Sequence, residues 1–262
     1  MPRKNPSKKA HERHSHILQL LRNVGFVSVT QLTETLGVSD MTIRRDLDEL
    51  QEMELLARHH GGATLVPERG DTEWPFFLRE TKHLEEKKKI AKKGASYVQD
   101  GQVLIIDAGS TTLQMIDFLY QNRLTVVTNS MPHLSKLSTM QNVNLISAGG
   151  VFYTDNQCFL GPVTVSSFDS MNANVAFMAA SGLSLSRGMT NRKFEEAEVK
   201  KAMITAAEKI VLLVDSSKLH IYTLATVGPI ELLDMLITDS GLSAEDRVAI
   251  ESLEVDVVIA ED

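Results

Sequence analysis

Along the first sixty positions, apolar residues recur at helical spacing in three short blocks. Ile17, Leu20, Leu21 and Val24 fall at i, i+3, i+4 and i+7, which predicts a helix over 7–23 stopped by Gly25. A short β-like step at 26–28 follows. Leu32 and Leu36 then predict a second helix over 29–36, with Ser28 as its cap. Ile43, Leu47 and Leu50 predict a third, with Ser39 as N-cap and Gly37-Val38 as the tight turn before it. That phase forces Met41, Arg44, Arg45 and Asp48 outward. Beyond the third helix, residues 55–60 predict a strand, Gly61-Gly62 a hairpin turn and 63–66 the return strand.

From Gly101 onward the pattern changes. Short apolar runs at 102–107, 124–128, 143–147, 175–179, 210–214, 235–238 and 255–260 alternate with helical segments such as 113–121 and 195–208. This predicts an α/β domain with a mostly parallel sheet. Between the two patterns, Pro67, Gly70, Asp71 and Pro75 break regular structure. The expected organisation is a small domain over 1–65, a linker over 66–78 and a larger domain over 79–262. Trp74, Phe76 and Phe77 cluster there in a chain with 5% aromatic residues, and are expected to dock the linker onto the second domain. A charged helix is expected over 81–99, its Lys87-Lys88-Lys89 run a solvated face.

Three helices and a hairpin in this order make a winged helix-turn-helix, whose second motif helix enters the major groove of DNA. Arg44 and Arg45 can then grip phosphates or guanine edges, with Ser39, Met41 and Thr42 near base edges and Arg58 and His59 of the wing on the backbone. For an isolated helix the alternative is a solvated face with local ion pairs, such as Arg44 to Asp48. The neighbouring elements favour DNA. Charge agrees. The net charge of the 262 residues is -7, yet residues 1–22 carry Arg3, Lys4, Lys8, Lys9, Arg13 and Arg22 against Glu12 alone. His11, His14, His16, His59 and His60 also lie in the small domain. A basic segment on an acidic chain suits a local anionic partner.

A single cysteine, Cys158, excludes an intrachain disulfide and reads as a packing residue, which suits a reducing compartment. The start lacks the apolar core of a signal peptide, and no apolar run reaches the ~20 residues needed to span a bilayer, so a cytoplasmic protein is expected.

Ligands of parallel α/β domains bind beyond the carboxyl ends of the strands. Here those ends are polar and glycine-rich. The first strand ends in Asp107-Ala108-Gly109-Ser110-Thr111-Thr112 and enters a helix, a combination suited to an anion such as phosphate, or to an ordinary capped turn. Thr128-Asn129-Ser130, Gly149-Gly150 and Asp215-Ser216-Ser217-Lys218 follow at later strand ends. Lys218 can hold a ligand or pair with Asp215. The set fits a polyol phosphate better than an apolar ligand. Without a Gly-Lys-Ser/Thr step the first loop is not a nucleotide-hydrolysing P-loop. No cofactor or metal is expected. Glu195, Glu196, Glu198 and Lys200 share one helix and read as a solvated face.

Val38-Ser39-Asp40-Met41-Thr42-Ile43-Arg44-Arg45-Asp46-Leu47, followed by Arg58-His59-His60-Gly61-Gly62-Ala63, resembles the N-terminal domain of DeoR-family bacterial transcriptional regulators. The later strand ends, Gly188-x-Thr190 and Glu196-Ala197-Glu198-Val199-Lys200 extend the resemblance to the family's sensor domain, over nearly the whole chain. The resemblance implies a sensor related in fold to ribose-5-phosphate isomerase and CoA-transferase domains. It also implies a phosphorylated sugar effector and repression of a carbohydrate operon. The acidic and Lys-Gly loops that isomerase-like relatives use for proton transfer are missing. An isomerase fused to a DNA-binding domain, with Asp107 as base, is the enzymatic alternative. A DNA-binding module whose α/β part only assembles is another. A homo-oligomer, dimer or tetramer, is expected because two-fold operators need two recognition helices.

Overall fold

The computed structural model describes residues 8–53, 55–66 and 76–261. Pro67, Gly70, Asp71, Trp74 and Pro75 of the expected linker lie outside the described residues, as do residues 1–7. The chain divides into two compact units, Met1–Thr81 and Lys82–Asp262.

The first unit runs α1 (Lys8–Val24), β1 (Phe26–Ser28), α2 (Val29–Leu36), α3 (Asp40–Glu52), β2 (Leu56–His59), β3 (Gly62–Leu65) and α4 (Phe76–Thr81). The apolar stripes predicted separately close on one core: Ile17, Leu18 and Leu21 of α1, Leu32 of α2, and Ile43, Leu47 and Leu50 of α3, floored by Val27, Leu56 and Ala63. Ser28 and Gln31 form a reciprocal capping box at the start of α2. Gly37 ends that helix at φ 64°, a left-handed conformation that a side chain would strain, and so turns the chain into α3.

Strands β1, β3 and β2 form an antiparallel sheet in that order. The hairpin turn falls one residue earlier than expected. His60 and Gly61 make it, and Gly62 enters β3 opposite both His59 and Ser28. A Cβ at Gly62 would lie 2.4 Å from the Phe26 ring and 2.5 Å from the Val27 carbonyl, so the second glycine serves strand packing rather than the turn. Phe76 is buried and α4 packs on α1 within this unit.

The second unit runs α5 (Leu84–Ala95), β4 (Val103–Ile106), α6 (Ser110–Met115), β5 (Leu124–Thr128), α7 (Met131–Leu137), β6 (Val143–Ser147), β7 (Val151–Tyr153), β8 (Cys158–Leu160), α8 (Pro162–Phe168), β9 (Ala173–Met178), β10 (Gly182–Ser184), β11 (Gly188–Asn191), α9 (Phe194–Thr205), β12 (Ala207–Leu213), β13 (Ala225–Gly228), β14 (Met235–Thr238), α10 (Ala244–Glu251) and β15 (Asp256–Ile259). The apolar runs read from the sequence all become strands of one sheet, ordered β15-β14-β12-β9-β4-β5-β6, with every pairing parallel. The chain starts in the middle at β4, fills one side through β6, and returns to β9 on the other. The β4/β9 boundary is therefore the topological switch point of the sheet.

Two small antiparallel sheets, β7-β8 and β10-β11-β13, were not expected; their strands are three or four residues long. The helix expected over 81–99 begins only at Leu84, because His83 sits at φ 52°. Lys87 is buried, not solvated, and its Nζ donates to the Lys82 carbonyl at 2.6 Å. The segment expected to be helical over 113–121 is helical from Ser110 to Met115 and tightens into a 3-10 turn, Ile116–Phe118. Cys158 is buried in the apolar core. Among the described residues no helix is long and apolar enough to cross a membrane.

Candidate nucleic-acid interface and effector site

Helix α3 has two chemically distinct faces. Ser39 caps it, its Oγ accepting from the Thr42 N–H at 3.3 Å. Ile43, Leu47 and Leu50 point into the core, while Met41, Arg44, Arg45 and Asp48 are exposed as the phase predicted. Met41 is 81% exposed, unusual for a large apolar side chain in a small domain and suited to contact with a partner. The ion pair proposed from sequence is different in the structure. Arg44 pairs with Asp40, and Asp48 pairs with Arg58 of β2. Arg45 Nε lies 3.0 Å from Glu49 Oε1. His59 Nε2 lies 2.8 Å from Thr64 Oγ1 across the wing.

Asp46 was not recognised as special, because helical phase leaves it at the edge of the apolar stripe. It is 2% exposed. Its carboxylate accepts from the Arg13 guanidinium, with one contact at 2.7 Å, and lies 3.1 Å from His14 Nε2. Burial pushes its carboxyl up, but the hydrogen bonds from Arg13 and His14 outweigh this and hold it below the ordinary carboxylate range. Helix α1 thus grips α3 by charge as well as by apolar contact.

In the second unit, Asp107 ends β4 at the switch point and is 2% exposed. Its carboxylate accepts the Ala179 N–H at 2.9 Å from the loop after β9 and is ion-paired with Lys200 of α9. Lys200 Nζ also donates to the Ala179 carbonyl at 2.8 Å. The expected solvated face of α9 is therefore half wrong. Glu195 and Glu198 are exposed, but Lys200 and Glu196 are buried. Glu196 accepts from the side-chain amides of Asn156 and Asn191, the latter at 2.7 Å. One signal was available: Glu196, Lys200 and the apolar Met203 are spaced i, i+4, i+7 and so share a face.

A buried histidine, also unforeseen, joins the segments that follow β4 and β5. Thr112 Oγ1 lies 2.7 Å from the Asp107 carbonyl and 2.9 Å from that of Gly109, to which it can only donate. It therefore accepts at 3.2 Å from Nε2–H of His133, whose Nδ1 then accepts from the Ser130 hydroxyl. Burial, helped by Lys136, pushes His133 down to about 3, so the ring is neutral at physiological pH, as this single tautomer requires. Ser110 and Thr111 are buried at the start of α6. Thr128 Oγ1 accepts the Ser130 N–H at 3.2 Å. Asn129 donates to the Phe159 carbonyl at 3.0 Å, and its Oδ1 is buried without a partner.

The Gly149 carbonyl accepts from Thr164 at 2.7 Å, and Thr164 fills the space a side chain at Gly150 would need. Lys218 follows β12 in a 3-10 turn, Ser216–Lys218, where the Ser217 hydroxyl bonds Asp215. The cation beside Asp107 is Lys200.

A winged helix-turn-helix with an exposed arginine pair, on one chain with a parallel α/β unit polar at its switch point, defines a two-domain regulator: a DNA reader carrying a sensor. The family model of the DeoR-like helix-turn-helix domain matches residues 13–69, and that of the DeoR C terminal sensor domain matches residues 82–240. The chain belongs to the DeoR family and is a DNA-binding transcriptional regulator. It is 33% identical to the uncharacterized HTH-type transcriptional regulator YulB of Bacillus subtilis (strain 168), over 94% of this chain and 95% of that one. The glycerol-3-phosphate regulon repressor of Escherichia coli (strain K12) is 31% identical over 88% of this chain and 92% of its own length. Among solved structures, ribose 5-phosphate isomerase A of Methanocaldococcus jannaschii aligns over 53% of this chain and 55% of that one, at 20% identity and a TM-score of 0.39.

Proposed function

We propose that this regulator represses a carbohydrate-metabolism operon in the cytoplasm and that a phosphorylated sugar releases it from DNA. The observation that carries the reading is the cluster of buried polar groups at the switch point, on a chain whose other unit exposes Arg44 and Arg45 on a capped helix. The effector occupies the loop from Asp107 through Gly109, Ser110, Thr111 and Thr112, with Thr128, Asn129, Ser130, Gly149, Gly150 and Lys218 around it. Arg44 and Arg45 grip the operator, Ser39, Met41 and Thr42 lie near base edges, and Arg58 and His59 meet the backbone. Relatives named as the glycerol-3-phosphate regulon repressor and a putative aga operon repressor support the substrate class. The protein binds rather than converts its ligand: Asp107 is committed to Lys200 and the Ala179 N–H, which suits an anchor better than a general base. It acts as a homo-oligomer, since a two-fold operator takes two recognition helices.

The test is fluorescence anisotropy of the full chain on DNA from upstream of its own operon, with and without a panel of sugar phosphates. Tight binding released by one compound is expected. Tight binding that no compound changes would overturn the effector site while leaving the DNA reading intact. Turnover of a pentose or hexose phosphate, abolished by Asp107→Asn, would establish an enzyme instead. For Arg45→Ala the expected loss on operator is about 1–3 kcal/mol if the residue reads a base; an equal loss on random duplex makes it a phosphate contact.

A further inference from the structure

Arg44, Arg45 and Arg58 are each held by a carboxylate of α3. Arg44 is tied to Asp40 one turn behind it, through a second contact at 3.3 Å as well. Arg45 is tied to Glu49 one turn ahead, at 3.0 Å. Arg58, from the wing, reaches across to Asp48. Glu49 also turns an oxygen inward, 3.6 Å from Nε2 of His14, a fully buried residue of α1 that itself contacts Asp46. His14, Asp46 and Glu49 lie close enough to hold a cation, but Arg13 already neutralises Asp46, so the cluster acts as an anchor for the helix.

We propose that Asp40, Asp48 and Glu49 determine the specificity of DNA binding by holding Arg44, Arg58 and Arg45 in the positions that the operator requires. This rests on reading those arginines as DNA contacts. Binding to arbitrary duplex is almost wholly phosphate contact, in which flexible cations follow whatever backbone lies nearest. A tethered arginine must leave its carboxylate to do so, or bring a second anion toward the phosphate. On the operator, base contacts fix the helix in one register, and an arginine already waiting there breaks no tether. The carboxylates thus weaken random binding more than cognate binding, and Asp48 ties the wing to the recognition helix so that both arrive in one geometry.

The experiment uses the full chain with Asp48→Asn and Glu49→Gln, singly and together, on its upstream DNA and on a random duplex of equal length, over a range of salt. Asp48 is exposed and Glu49 half-buried, and an unchanged melting temperature confirms folding. Affinity for random duplex is expected to rise about two- to fivefold per tether removed. Its salt dependence should steepen by about one in log–log slope for each arginine released. Operator affinity should change less, so the specificity ratio falls. An equal change on both duplexes, or none on either, would overturn the proposal. So would loss on the operator alone, which would make the carboxylate a reader of cytosine amino groups. Arg45→Ala and Arg58→Ala separate the two ideas. If they leave both duplexes unaffected, the contact reading falls and the proposal with it; if they weaken binding while the acid variants do nothing, only the proposal falls.

Discussion

Asp46 and His133 are polar residues that the fold has turned inward, and each ties stability to pH in a definite direction. The Asp46 carboxyl is held below its ordinary value of 3.8, chiefly against burial, by Arg13 and His14. Its contribution is therefore complete above that value and fades as pH falls through the lower folded value. Asp46→Asn leaves Arg13 without its counter-charge and should cost about 2–4 kcal/mol in urea unfolding at pH 7, with the deficit against wild type shrinking as pH falls below the carboxylate range. An equally stable variant would mean that the apolar stripe alone sets the α1–α3 contact. His133 is depressed from 6.5 to about 3, first by burial and then by Lys136. A base kept neutral in the folded state contributes fully above 6.5 and loses that contribution as pH falls toward 3. Between those limits wild type should lose up to roughly 1.4 kcal/mol per pH unit relative to His133→Gln. Parallel pH profiles for the two proteins would sink the argument.

At the scale of elements, short loops and caps decide where each piece of structure starts, and the wing shows the constraint most sharply. Gly61 supplies the left-handed turn at φ 80° with open space around it, whereas Gly62 is pressed against Phe26 and the Val27 carbonyl. The two adjacent glycines therefore fail for different reasons. Gly62→Ala must push the Phe26 ring and strand β1 aside, and should lower the stability of the first unit by about 1–3 kcal/mol. Thermal unfolding of the variant checks this; a loss confined to Gly61→Ala would show that turn conformation matters and packing does not. Helix α9 makes the same point in the second unit. Its charged run looks solvated on composition, but Glu196 bonds Asn191 of β11 and Lys200 pairs with Asp107 after β4, so these two face inward while Glu195 and Glu198 face out.

For the molecule as a whole, a regulator that a metabolite releases from DNA must obey reciprocity. If a sugar phosphate weakens operator affinity by some factor, saturating operator must weaken that sugar phosphate's affinity by the same factor, with an expected coupling of about 1–3 kcal/mol. Calorimetric titration of the compound into free and DNA-bound protein measures it, and unequal factors would mean the two ligands do not share one equilibrium. Much of the design was legible without coordinates. Periodicity located α1, α2 and α3 of the first unit and the strands of the parallel sheet, because burying one stripe or one run is a local demand that the chain must meet in its own order. The exposed side of α3 followed from the same phase, since Ile43, Leu47 and Leu50 leave Arg44 and Arg45 no other direction. The ends of the strands were visible as glycines, serines and threonines that cannot extend an apolar run. What only the tertiary structure decided were the partners: Asp46 with Arg13, Asp107 with Lys200, Thr112 with His133, Asp48 with Arg58. Residues 93 positions apart meet at the switch point because strand order places β4 beside β9, and Lys200 of α9 reaches the segments that follow both. Strand order is a property of the folded sheet, and no local pattern in the chain records it.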